Sequence, residues 1–359
     1  MAEETSPLLR YLQRPNPEVD STWSIKDGRS GSKSKATRGP HDSHLLADAL
    51  EWEGMGWKVL KPMFDDILDL PVSNMPSFED FLEYPRHLKE VSDENSLAQL
   101  LGRWNYPVVS TALAVAQGHP DFKDTIDVND YPCQISMATG GQAWIPEEKR
   151  LTPDWAGILL SCRENNQPNI CNNARHYLNV LPGDTKLSTK FKSKWGWDDQ
   201  RFRDPIIQVF TYCRRASVPY GYIITQEELV ILRLFYGDKD HPNSLTEGTK
   251  SRMYVEYKSI PWAKDSDDGL TINLTLWCLH MLAARRKPIG GRKELNLDYP
   301  LPEGSTEGKT AESESFRAGA SDSSSVEDKG EYSFYKRKRS ADARSEGSKG
   351  TGKRRRSMR

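Results

Sequence analysis

Apolar residues along this chain follow two different periods, and the change between them outlines a fold. From residue 41 to 69 they recur at roughly helical spacing, at Leu45, Leu46 and Leu50 and then at Trp57, Leu60, Met63, Phe64 and Ile67. Gly54, Gly56 and Pro62 interrupt the run. It therefore predicts one or two amphipathic helices docked on a core or a partner, closed off by Pro71 and Pro76. A second helical run starts at Ser92 or Asp93, either of which can cap it, with Glu94 in its first turn. Leu97, Leu100, Leu101 and Trp104 form its apolar face, and Pro107 kinks or divides it before 108–116 continue.

Beyond residue 117 the period shortens. CQISMA (133–138), QAWI (142–145), DWAGILL (154–160) and HYLNVL (176–181) read as strands, with Gly140-Gly141 as a hairpin turn between the first two. A helix over 204–217 follows, then strands over 220–225, 228–236 and 252–260, and a closing helix over 270–286. This order predicts an α/β fold: a mixed central sheet flanked by helices on both faces.

The two ends depart from that pattern. Residues 1–40 are polar and carry GRSGSKSKATRG, which predicts a disordered N-terminal segment. Residues 41–89 form the helical extension, 90–290 the α/β domain, and 291–359 a second disordered tail, too polar over 303–330 to bury a core. The absence of an 18-residue apolar run predicts no membrane-spanning helix, and the first 20 residues show no secretory pattern. The five cysteines are scattered without a CxxC pair, and His176 and His280 complete no zinc spacing. Reduced thiols of a cytosolic or nuclear protein are the expectation.

Charge adds an asymmetry. The net charge is −1, but residues 336–359 hold 11 Lys/Arg against Asp342 and Glu346, a net +9, so the other 335 residues carry −10. A body that acidic has no global field for nucleic acid, so binding would need a local basic groove or the tail. Lys336, Arg337, Lys338 and Arg339 form one basic cluster. Lys353, Arg354, Arg355 and Arg356 form another, 13 residues further on. The spacing suits a bipartite signal read by a nuclear-import receptor, and equally a polybasic tail that touches nucleic acid or acidic partners.

The candidate chemistry lies between the ends. Pro153-Asp154 opens one strand, and Asp184-Thr185-Lys186 closes the next. Carboxylates at one edge of adjacent strands can hold a hard divalent cation, with the Thr185 carbonyl as a third oxygen. Asp184 and Lys186 are two apart, so on an extended strand they share a face. The lysine can then hold a water or the charge that develops on a phosphate. On the following helix Gln208 and Tyr212 lie one turn apart, as Q-x-x-x-Y. Over about residues 90–260 this resembles the PD-(D/E)XK nuclease superfamily, and LxPDWAG…LPGDTKLSTK…QxxTYC…YGYIIT is similar to a fungal group of such proteins. The resemblance implies a restriction-endonuclease-like fold and Mg²⁺, with Mn²⁺ an alternative, at Asp154 and Asp184. It implies catalytic roles for Asp154, Asp184 and Lys186, with Gln208 and Tyr212 lining the site as in the RecB-like branch, and Glu94 as an additional acid. Pro182-Gly183 before Asp184 predicts a bulge, and the 30-residue interval predicts an inserted loop over RENNQPNICNNAR (163–175).

Each residue also has a plainer reading. Glu94 can be an ordinary first-turn acid, Asp154 a turn residue, Asp184 and Lys186 a solvated strand end, and Gln208 and Tyr212 a polar pair between helix and sheet. Downstream, Lys190, Lys192 and Lys194 interleave with Trp195 and Trp197, which suits a phosphate backbone with stacked bases, or else an exposed loop. Arg201, Arg203, Arg214 and Arg215 lie close in sequence. No GxSxG, P-loop or HExxH pattern competes. Three functions stand open. One is a metal-dependent nuclease acting on nucleic acid, DNA before RNA. The second is a catalytically inactive relative that binds nucleic acid or a protein. The third is a purely structural interaction domain.

Overall fold

A computed structural model describes residues 6–20, 42–72, 85, 87, 89–119, 135–145, 151–160, 177–237, 252–263 and 269–284. The strands are β1 (Ser6–Pro7), β2 (Leu46–Glu51), β3 (Pro71–Val72), β4 (Ile135–Thr139), β5 (Ala143–Trp144), β6 (Trp155–Leu159), β7 (Tyr177–Thr185), β8 (Tyr220–Ile224), β9 (Glu228–Gly237) and β10 (Arg252–Pro261). The helices are α1 (Leu8–Leu12), α2 (Trp57–Leu68), α3 (Glu94–Arg103), α4 (Asn105–Gln117), α5 (Gln200–Ala216) and α6 (Ile272–Ala283). Eight strands form one mixed sheet in the order β2-β10-β9-β8-β7-β6-β4, with β5 beside β7. β2 with β10, β5 with β7 and β7 with β8 are parallel; the other neighbours are antiparallel.

Helices cover both faces, which is why β6 and β8 are buried along their whole length. Two glycines mark the layers. A Cβ on Gly221 would strike Cys213 and Val209 of α5, and one on Gly157 would come within 3.3 Å of His280 of α6. Gly157 pairs with Leu181, two residues before Gly183, and Gly183 lies beside Tyr222 rather than Gly221. Strand alternation therefore puts α5 and α6 on opposite faces. All twelve residues of α6 are buried, with Phe64 of α2 packed edge-on against Trp277 at 5.1 Å. No helix among the described residues is long and apolar enough to cross a membrane.

Local chemistry explains the α3/α4 junction. Asp93 is the N-cap, its carboxylate accepting from Ser96 N at 2.7 Å while Ser96 Oγ accepts from Asp93 N at 3.0 Å. The helix divides at Trp104, which leaves Pro107 in the first turn of α4, where no intrahelical N–H is needed.

Three expectations are corrected. Within the helical spacing over 45–50, Leu45 ends a 3-10 turn (Ser43–Leu45) and Leu46 and Leu50 belong to β2, an edge strand paired in parallel with Met253 to Tyr257 of β10. That open edge offers backbone partners which outweigh a weak periodic preference. The described residues of 41–89 thus include a strand of the main sheet as well as the helix α2. Within 1–40, residues 6–20 are ordered: Leu8, Tyr11 and Leu12 are fully buried at i, i+3 and i+4. Thr271 Oγ1 donates to Leu12 O at 2.7 Å, and Trp262 Nε1 donates to Pro17 O at 2.8 Å, which holds the segment in place. Finally, Gly140-Gly141 makes a 3-10 turn (Gly140–Gln142) and not a hairpin, because β4 pairs with β6 while β5 pairs with β7. The rest of the N-terminal segment, the loop over 163–175, Cys133, Cys162, Cys171 and the tail with its basic clusters lie outside the described residues. Cys213 and Cys278 are free, buried thiols.

His280 gives the fold a pH dependence. Its Nδ1 is 2.7 Å from Leu276 O and its Nε2 has no partner; burial lowers its pKa from 6.5 to about 4. The unfolded chain therefore takes up this proton more readily between those values. The stability that comes from the neutral ring is full above pH 6.5 and is lost as pH falls toward 4, about 3 kcal/mol in all. In His280→Leu the melting temperature is expected to fall much less between pH 7 and pH 4.5 than in the native chain. An unchanged acid limb in thermal scans would contradict this.

Candidate active site

The site sits where β6 and β7 end side by side. Trp155 of β6 pairs with Gly183 of β7, so one step beyond the ladder Asp154 stands opposite Asp184. Thr185 N donates to Asp154 Oδ2 at 2.9 Å, and Trp155 Nε1 donates to Thr185 Oγ1 at 2.9 Å. From the other side Gly140 N donates to Asp154 O at 2.8 Å. Gly183 is required by packing, since a Cβ there would overlap the Tyr222 ring.

The Pro182-Gly183 pair is accommodated by a bulge. The β6–β7 register slips between Gly157, opposite Leu181, and Ile158, opposite Asn179. Pro182 precedes the first β7–β8 pair, Gly183 with Tyr222, so its missing N–H removes no rung. One rung earlier, Tyr220 O accepts from the Cys213 thiol at 3.2 Å.

Asp184 and Lys186 share the face that looks onto α5, and both are buried. Lys186 Nζ donates to Asp184 Oδ2 and lies 3.4 Å from Thr185 O. On α5, Gln208 Nε2 donates to the Tyr212 hydroxyl at 2.7 Å, and Gln208 Oε1 is buried without a partner. Glu94, half-buried in the first turn of α3, pairs with Lys190 at 3.1 Å.

The carboxylates are crowded. Burial pushes Asp184 up to about 7; the Asp154 charge adds to this and Lys186 opposes it. Asp154, open to solvent on its outer side, is also raised, first by the protein around it and then by the Glu94 charge, against the Thr185 N–H and Lys186. Burial works against the Lys186 ammonium, yet Asp184, Glu94 and Asp154 together raise it. Tyr212 is raised by burial and then by Asp184. The site thus holds more carboxylate than one ammonium neutralises, which favours uptake of a proton or a cation.

The donor set fits a hard divalent cation in part. Asp154, Asp184, Thr185 O and the orphaned Gln208 Oε1 are all oxygen donors. Among the described residues no three His, Cys, Asp or Glu side chains form a metal cluster on their own. A cation here would keep several waters, as Mg²⁺ does in most protein sites.

The structure alters the expected basic surface. Lys190 is paired with Glu94, and Lys192 with Glu227 at 2.6 Å. Arg201 pairs with Asp199 at 2.6 Å, and both Arg214 and Arg215 with Asp42 at 2.8 Å. Lys194 is exposed and lines a groove of about 340 Å³ with Trp52, Tyr257, Lys258, Glu51 and Glu53. Trp195 and Trp197 are half-buried against the core, and the Arg201 guanidinium covers Trp195 at 4.0 Å. The predicted patch of lysine and tryptophan is therefore largely neutralised and partly packed. The sequence reads Gly140 only as part of a turn and assigns neither it nor Tyr222 to the site. The Gly-Gly and Pro-Gly dipeptides signal close approach there without naming what approaches.

No protein-family model, no curated protein and no solved structure matches this chain.

Proposed function

We propose that this chain is a metal-dependent nuclease-like protein that hydrolyses phosphodiester bonds, DNA before RNA, on a restriction-endonuclease-like version of its mixed sheet. One observation carries the reading: Asp154 and Asp184 stand opposite each other at the ends of β6 and β7, with Lys186 against Asp184. Asp154, Asp184 and Thr185 O would hold Mg²⁺ or Mn²⁺, which when bound polarises the phosphate and lowers the pKa of a coordinated water. Lys186 presents its ammonium where a water or a developing phosphate charge would stand. Gln208 and Tyr212 form the wall that orients Lys186 or the substrate, and Glu94 adds an acid at the mouth.

A second reading is favoured by the ion pairs at Lys190, Lys192, Arg201, Arg214 and Arg215 and by the acidic body. In it the fold is a catalytically silent module that binds nucleic acid or a protein partner. Phosphate contacts would then come from the clusters at 336–339 and 353–356, which also suit a nuclear-import receptor and a nuclear location.

Single- and double-stranded DNA and RNA, each incubated with Mg²⁺ or Mn²⁺, separate the two. Metal-dependent cutting that falls by about a hundredfold or more in Lys186→Ala supports hydrolysis. Binding without cutting supports the silent module. Divalent cation is also expected to raise the melting temperature, by about 2.7 kcal/mol of stability at a hundred times Kd, and Asp154→Asn to remove the rise. Below about pH 7 Asp184 keeps a proton that competes with the cation, so the rise should be larger at pH 8 than at pH 6. An equal or reversed dependence would remove Asp184 from the site.

A further inference from the structure

We infer that Gln226 is a positioning residue for Lys186, acting through Ser188. The inference rests on the role given to Lys186 above, but its geometry stands on its own.

Lys186 lies where the sheet stops. β7 and β8 run in parallel from Gly183 beside Tyr222 to Thr185 beside Ile224, and the last backbone rung is Lys186 N to Ile224 O at 3.0 Å. In a parallel ladder the next donor on that side is Ser188 N, and its acceptor would be the backbone carbonyl of Gln226. By then the second chain has turned back into β9. Thr225 N donates to Glu228 O at 2.8 Å, and Thr225 Oγ1 accepts from Glu227 N and Glu228 N at 3.1 and 3.0 Å. The Gln226 side chain supplies the missing rung. Its Oε1 accepts from Ser188 N at 3.0 Å, and its Nε2 donates to Ser188 Oγ at 2.8 Å.

The consequence for Lys186 is mechanical. Its ammonium meets Asp184, two residues earlier on the same face, only while the backbone remains extended through this stretch. The β7–β8 ladder holds it on one side and Gln226 on the other. Gln226 and Ser188 are buried, so breaking the contact leaves the Ser188 N–H without water or partner, while the Ser188 hydroxyl keeps its hydrogen bond to Glu227. The rest of the loop has separate anchors, Lys192 on Glu227 and Ser193 N on Glu228 at 2.7 Å. Loss of Gln226 is therefore expected to loosen the chain at 186–188 and not the whole loop.

The test reads Lys186 without requiring any cutting. The full-length chain is acetylated at pH 8 with an N-hydroxysuccinimide ester, and the rate at each lysine is followed by mass spectrometry. Gln226→Leu is expected to raise the rate at Lys186 by about fivefold relative to Lys258, the opening expected from losing roughly one net hydrogen bond. Gln226→Glu keeps the side-chain oxygen that accepts from Ser188 N, and should keep the native rate. Should Gln226→Leu not fold, Gln226→Asn, one methylene too short to reach Ser188, serves in its place. An unchanged Lys186 rate, an equal rise at Lys258, or no rescue by Glu overturns the inference. A chain that cuts nothing yet shows the selective rise sinks the nuclease reading and leaves this one standing.

Discussion

Gly140→Ala is expected to destabilise the protein by about 3 kcal/mol and to abolish the melting-temperature rise produced by divalent cation. The added Cβ would overlap the Pro153 carbonyl oxygen and lie 2.6 Å from the Pro153 carbonyl carbon and 3.2 Å from that of Asp154. All of these atoms are backbone, so no side chain can rotate away. The 3-10 turn cannot retreat either without stretching the bond from Gly140 N to Asp154 O. Relief must come from moving 153–154, and Asp154 then leaves Thr185 N and its place opposite Asp184. Gly141→Ala is the control, because nothing lies within 4 Å of a Cβ there, and it should be tolerated. Urea unfolding of both variants, with melting curves with and without Mg²⁺, makes the comparison. Equal stability of the two would show that the turn relaxes freely and that Asp154 is not pinned by it.

The second large effect concerns a buried ion pair away from the site. Arg233 of β9 and Glu256 of β10 face each other in register and are both buried. Arg233 Nε donates to Glu256 Oε2 at 2.8 Å, and the guanidinium lies 4.5 Å above the Trp52 ring. Trp52 N in turn donates to Tyr257 O, so the pair supports the point where the chain leaves β2. Removing one charge strands the other in a medium where it cannot be solvated. Arg233→Met and Glu256→Leu are each expected to cost about 3–5 kcal/mol. The double variant removes both desolvation penalties and should recover most of that loss, giving a coupling well outside additive error in a double-mutant cycle. Single losses below about 1 kcal/mol in urea titrations would mean that water reaches the pair.

Much of the architecture is legible in the local pattern. The runs in β6, β8, β9 and β10 and the long apolar stretch of α6 announce themselves, because each element is buried by its own contiguous residues. The candidate site is legible for a similar reason. Asp184 and Lys186 share a strand face, Gln208 and Tyr212 share a helix face, and Asp154 opens the neighbouring strand, so short-range periodicity already aligns most of them. β2 is not legible locally, because Leu45, Leu46 and Leu50 satisfy a helical spacing while the partner that makes Leu46 to Glu51 a strand lies some two hundred residues away in β10. The segment at 6–20 reads as too polar to fold because its burial depends on hydrogen-bond donors from Thr271, Trp262 and Trp104.

The sequence by itself determined which stretches become strands and helices around the site, and which side chains could share a face, since those follow from spacing along a single element. Only the tertiary structure decided whether the charges are available. Glu94 meets Lys190, Glu227 meets Lys192, and Asp42 meets Arg214 and Arg215 across 35 to 173 residues of chain. No local pattern specifies such pairings, because they depend on which strand ends and helix termini the sheet order brings together. The burial that pushes Asp184 up to about 7 has the same origin. It comes from α5 closing over the ends of β7 and β8, and is a property of the packed layers and not of the residues around Asp184 in the chain.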